Sequence, residues 1–134
     1  MDFDSYNVGD PIPEKKHPVG KYQPIYYAGA SGDFNLIHID PEFGKMVGLG
    51  GNVLQGLCTM AFAAITVTDF AGDPGALKKL KVRFAKPVRP LDNVIVQGKV
   101  AAKDADTLTL EMNATTKKGE VEVLSQTVAV IAKV

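Results

Sequence analysis

Val53-Leu54-Gln55-Gly56-Leu57-Cys58-Thr59-Met60-Ala61-Phe62-Ala63-Ala64-Ile65-Thr66-Val67 decides the fold. The stretch has no charged side chain, and its polar residues are Gln55, Thr59 and Thr66 alone. A helix that is apolar on every side is expected to be buried on every side. At about 15 residues it is shorter than the roughly 20 that cross a membrane. Asn52 is the expected N-cap and Asp69 follows, so the pattern predicts one long helix beginning at Asn52 and enclosed by other elements. The β-branched Ile65, Thr66 and Val67 weaken its last turn.

What encloses it is written downstream. From Leu77 the hydrophobic period changes to two: Leu80, Val82 and Phe84 alternate with Lys79, Lys81 and Arg83. The alternation returns around Val94–Val100, Leu108–Leu110 and Val121–Val130. These read as four antiparallel strands in a meander. Pro87, Pro90 and Asp92-Asn93 mark the first connection, Asp104 and Asp106 the second, and Lys118-Gly119 a tight third one. The fold class is therefore α+β, an antiparallel sheet wrapped around one long buried helix.

Upstream, residues 1–20 read as an extended lead-in with one strand, rich in Pro and Gly. Pro24 suits the first turn of a short helix running toward Gly32, and Asp40-Pro41 an N-cap and first residue of another over 41–47. No repeat, low-complexity tract or linker divides the chain, so residues 1–134 read as a single domain.

Composition narrows the function classes. Lys plus Arg equals Asp plus Glu, 15 against 15, so no bulk field favours nucleic acid or an anionic membrane. One cysteine allows neither an intrachain disulfide nor a multi-cysteine metal site, so no metal is assigned. The acidic Met1-Asp2-Phe3-Asp4-Ser5 start has no signal-peptide pattern, and the expected location is cytoplasmic.

Between the two short helices lies Ser31-Gly32-Asp33-Phe34-Asn35-Leu36-Ile37-His38. It puts a carboxylate and one of only two histidines five positions apart. On a regular helix that spacing turns roughly 500°, and on a strand it points to opposite faces, so the two side chains converge only on an irregular segment. Gly32 and Asn35 are residue types that permit one. An imidazole titrating near neutrality beside a carboxylate is a proton-transfer pair. Either residue alone also fits a structural role, Asp33 as a cap and His38 as a satisfied core histidine. Cys58, inside the apolar run with no base at a recognisable spacing, reads as a core residue, and His17 has no assigned role.

Tyr27-Ala28-Gly29-Ala30-Ser31-Gly32-Asp33-Phe34-Asn35-Leu36-Ile37-His38, Leu54-Gln55-Gly56-Leu57, and Val82-Arg83-Phe84 followed by Pro87-Val88-Arg89-Pro90 resemble the MaoC-like hydratases and dehydratases. The full run is similar to bacterial 3-hydroxyacyl-carrier-protein dehydratase subunits. The resemblance implies a hot-dog fold and cofactor-independent water addition to trans-2-enoyl thioesters, or its reverse from (R)-3-hydroxyacyl thioesters. It implies Asp33 and His38 as catalytic residues, with Asn35, Gln55, Gly56 and Leu57 at the substrate. Two positions depart from the family pattern: Leu36 stands where proline is common, and Gln55 where histidine is frequent.

The first turn of the long helix offers unpaired N–H groups for the thioester oxygen. Which of Asp33 and His38 activates water stays open, as do acyl length, direction, and CoA versus carrier protein. The basic residues Lys78, Lys79, Lys81, Arg83, Lys86 and Arg89 read either as a solvated face or as a contact for phosphates or an acidic carrier. The resemblance also implies at least a homodimer, with a related subunit as the other choice of partner. A hot-dog thioesterase or a noncatalytic acyl-binding subunit are the alternative functions.

Overall fold

The computed structural model describes residues 1–134. After a turn of 3-10 helix at Phe3–Ser5, strand β1 spans Pro11–Pro18. Three short helices follow, α1 (Gln23–Ser31), α2 (Leu36–Ile39) and α3 (Pro41–Met46), and then the long α4 (Gly56–Ala71). Strands β2 (Leu77–Phe84), β3 (Asn93–Lys103), β4 (Thr107–Thr116) and β5 (Val121–Ala132) complete one antiparallel sheet of order β1-β3-β4-β5-β2. The concave face packs Val94, Val96, Leu108, Leu110 and Ile131 against Phe62, Ala63 and Val67 of α4, all buried. This is the expected sheet around a helix.

Four expectations need correction. α4 starts at Gly56, because the amides of Val53 and Leu54 are taken by distant carbonyls, Ile37 O at 2.9 Å and Val88 O at 2.8 Å. Those two residues are held outside the helix, and the cap position passes from Asn52 to Gln55. At the other end, packing overrides the β-branched residues: Thr66 and Val67 are buried, and the helix runs on to a left-handed cap at Gly72.

The helix is also not covered all round, since Leu57 is 62% and Ile65 42% exposed on one face. Lastly, the meander holds only for β3, β4 and β5. β2 pairs with β5 at the opposite edge from β1, so residues 85–92 cross the end of the sheet to reach β3. Pro87 and Pro90 suit that crossing because they lack a ladder donor. The short turns behave as their residues dictate. Asp104 accepts from the amides of Asp106 and Thr107, while Lys117, Lys118 and Gly119 turn the last hairpin at positive φ.

Candidate active site

Asp33 is delivered by the end of α1. Gly32 stops that helix at φ 79°, a left-handed angle that favours glycine, and its amide donates to Ala28 O. The chain then winds through local side-chain caps. The Asp33 amide donates to Ser31 Oγ, the Asn35 amide to Asp33 Oδ1, and the Ile37 amide to Asn35 Oδ1. Asn35 is thus the N-cap of α2, and the segment expected to be irregular contains a single helical turn that carries His38. Leu36 occupies the first helical position, where proline would also fit.

The imidazole is fixed from the other side. His38 Nδ1 lies 2.8 Å from Val53 O, Asn52 Nδ2 donates to His38 O, and the Val53 amide donates to Ile37 O. A carbonyl only accepts, so Nδ1 carries the proton and Nε2 of the neutral ring presents a lone pair. Nε2 stands 3.6 Å from Asp33 Oδ2, the His38 side chain 11% and the Asp33 side chain 48% exposed. That separation exceeds a good hydrogen bond. Both atoms therefore keep capacity for a third group, and the pair opens to solvent through its carboxylate.

Residues 53 and 54 lead from this pair straight into α4. In its first turn the amides of Gly56 and Leu57 donate to nothing within the chain, while Cys58 and Thr59 donate to Gln55 O. A Cβ on Gly56 would lie 3.1 Å from the Phe84 ring, so any other residue would make that ring give by a few tenths of an ångström. A cavity of about 210 Å³ beside it is lined by Leu54, Gly56, Thr59, Phe84, Lys86 and Val88 among others. A larger hollow of about 660 Å³, lined by Lys81, Arg83, Glu111 and Gln126, lies on the sheet and holds none of Asp33, Asn35, His38, Gln55, Gly56 and Leu57.

The structure brings Asp33 and His38 together, and Gly56 and Leu57 follow within a few residues of the Val53 whose carbonyl holds the imidazole. Asn35 spends its side-chain oxygen on α2. Gln55, expected at the substrate, is 1% exposed and turned to Pro24 O. The basic run is divided: Lys81 and Arg83 line the larger hollow, whereas Lys86 lines the smaller cavity with Gly56, and Arg89 Nη1 lies 4.0 Å from where a Cβ on Gly51 would stand. None of them pairs with a carboxylate.

Three participants escaped the sequence reading. Asn52 and the Val53 carbonyl hold His38, and no sequence signal marks a carbonyl for that task. His17 is buried, with Nε2 2.9 Å from Thr66 Oγ1 and its ring stacked on Phe62 at 4.8 Å. Burial, with Lys15 adding, holds its pKa below the ordinary value. Burial also pushes the Cys58 thiol up, with the Gln23 amide pulling weakly the other way, so it stays a thiol.

Over 69 residues the chain is 44% identical to the peroxisomal enoyl-CoA hydratase 2 of Arabidopsis thaliana, covering 50% of this chain and 22% of that protein. The chain thus spans less than a quarter of the length of the curated relatives it first matches. The unliganded R-hydratase PhaJ1 of Pseudomonas aeruginosa superposes with TM-score 0.86 at 19% identity, over 97% of this chain and 84% of that one. The ChsH1-ChsH2 complex of Mycobacterium tuberculosis gives 0.83 at 23%, over 95% and 98%. At such identities these two likenesses speak for the fold alone. The MaoC like domain, however, matches residues 6–123. Since that match takes in strands β1 to β4, α4 and the whole Asp33 to His38 segment, the chain belongs to the MaoC-like dehydratase family.

Proposed function

We propose that this chain is a hydro-lyase that adds water to trans-2-enoyl thioesters and removes it from (R)-3-hydroxyacyl thioesters. The observation that carries the reading is the 3.6 Å gap between His38 Nε2 and Asp33 Oδ2, two acceptors facing one small space. A water there donates one hydrogen to each, leaving its lone pair for the β-carbon of the substrate. As the new C–O bond forms, the double-bond electrons move onto the thioester oxygen, which the amides of Gly56 and Leu57 receive. The proton taken from water by the pair returns to the α-carbon, and the site ends as it began. Dehydration runs the same steps backwards.

Lys86 and Arg89 are the cations we assign to the phosphates of coenzyme A or of a phosphopantetheine carrier, because Lys86 lines the cavity beside Gly56 and Arg89 Nη1 approaches Gly51, next to the Asn52 that holds the His38 carbonyl. The uncovered Leu57 and Ile65 face of α4 is where we place a second hot-dog subunit, identical or related. A cytoplasmic location is retained as part of this proposal. No helix is long and apolar enough to cross a membrane.

The test is turnover of crotonyl-CoA by the purified chain. Loss of enoyl absorbance with formation of the (R)-3-hydroxy product supports the assignment. Release of free thiol instead identifies a thioesterase, and no turnover without an added subunit identifies an acyl-binding partner.

A further inference from the structure

Gln55 joins two parts of the site that no other strong side-chain bond connects. Its carbonyl accepts from the amides of Cys58 and Thr59 and so opens α4. Its side chain is 1% exposed, and Nε2 donates to Pro24 O, in the first turn of α1, at 2.9 Å. Oε1 accepts from no donor within the chain. Turning the amide over would set its oxygen against the Pro24 carbonyl, so the orphan acceptor is forced by the bond on the other side. The remaining side-chain link between the two helices is a long contact from Gln23 Nε2 to Cys58 Sγ at 3.8 Å.

A buried acceptor without a partner works against stability. An apolar side chain of similar size would avoid that loss, so stability does not account for a glutamine at this position. Its placement does. α1 ends at Gly32, immediately before Asp33, and α4 begins at Gly56. The amide of Gln55 is therefore a strut between the helix that delivers the carboxylate and the turn that presents the free amides. The substrate spans the same two points. In an enoyl thioester the β-carbon and the carbonyl oxygen belong to one rigid conjugated unit, so water and oxyanion donors must be held at a matching separation.

We propose that Gln55 is a positioning residue for the hydration step, fixing through Pro24 the spacing between Asp33 and the amides of Gly56 and Leu57. This rests on the reading of the site given under Proposed function. A spacing error affects the reacting geometry more than it affects binding of the acyl carrier, so its signature lies in kcat. Displacements of about 1 Å cost on the order of 10²-fold in rate.

The experiment measures crotonyl-CoA hydration and thermal unfolding for the wild type, Gln55→Met, Gln55→His and Gln55→Glu across pH. Gln55→Met, which removes both polar atoms, is expected to melt no lower than the wild type while kcat falls about 10- to 100-fold and KM changes by less than about 2-fold. Gln55→His restores a donor and recovers most of the lost rate. Gln55→Glu can donate to Pro24 O only when protonated, so its kcat relative to the wild type rises as pH falls.

Wild-type kcat in Gln55→Met, or a pH-independent ratio for Gln55→Glu, overturns the inference. Should Gln55→Met fail to fold, the His and Glu variants decide. An active wild type with insensitive Gln55 variants refutes the strut alone. A wild type that does not hydrate the substrate refutes the functional reading and this inference with it.

Discussion

His38 Nε2 lies 3.6 Å from Asp33 Oδ2 because two unrelated constraints meet there: local caps curl residues 31–38, and the distant Val53 carbonyl pins Nδ1. The first sets where the carboxylate is. The second sets which imidazole nitrogen faces it.

Replacing either member should therefore remove the chemistry and leave the fold. Asp33→Asn and His38→Ala are each expected to lower crotonyl-CoA kcat by about 10² to 10⁴-fold. Loss of the bond to Val53 in His38→Ala costs about 1 kcal/mol. Steady-state kinetics with circular dichroism checks both, and near-normal turnover in either variant would sink the assignment.

Gly56→Ala should separate rate from stability. The new Cβ meets the Phe84 ring at 3.1 Å, but that ring is 52% exposed and can swing outward. We expect a small change in melting temperature and a drop in kcat of about 10²-fold as the amide donors lose their approach to the thioester. Adding Phe84→Leu should recover part of the rate if the clash is the cause.

Leu36→Pro should be stabilising. Leu36 is the first residue of α2, its amide donates to nothing within the chain, and Asn35 at ψ 130° is already outside the α region that a following proline disfavours. Restricting the unfolded chain is worth about 0.4–1 kcal/mol. Urea denaturation would show this as a raised midpoint, and a lowered midpoint would contradict it.

His17 should make the protein acid-sensitive. Its folded pKa is lowered by burial, first, and by Lys15 from the ordinary 6.5. Between the lowered value and 6.5 the unfolded chain binds the proton that the folded chain refuses, so stability falls as pH drops through that window. The urea midpoint at about pH 5 should lie below that at about pH 8, and His17→Gln should shrink the difference. An unchanged difference would place the sensitivity elsewhere.

Charge reversal distinguishes the two parts of the basic run. Lys86→Glu and Arg89→Glu are expected to raise KM for CoA thioesters by up to about 5-fold each, less in high salt, with kcat retained. Lys79→Glu and Lys81→Glu should leave KM alone. Equal effects at all four positions would mean a general field rather than a phosphate contact.

Much of this molecule was readable because its signals are local. Apolar composition from 53 to 67 marks α4, period-two alternation marks β2 to β5, and Pro24, Asp40 and Gly32 act within a few residues of themselves. Asn35 behaves as its residue type requires, capping the turn that follows it. The start of α4 was misplaced because composition does not show that Val53 and Leu54 give their amides to Ile37 and Val88. β2 was joined to the wrong neighbour for a similar reason: alternation identifies a strand but not its partner.

The sequence by itself marked one long apolar helix, the period-two strands around it, and a carboxylate and an imidazole five residues apart. Hydrophobic periodicity and capping act over a few residues, so they survive in the linear text. Only the tertiary structure decided that β2 lies against β5, that His17 is held by Thr66, that Gln55 is tied to Pro24, and that Val53 O sets the tautomer of His38. Each of those depends on a hydrogen-bond partner brought close by the folding of the sheet around α4, and a partner's distance in space is not written in its distance along the chain.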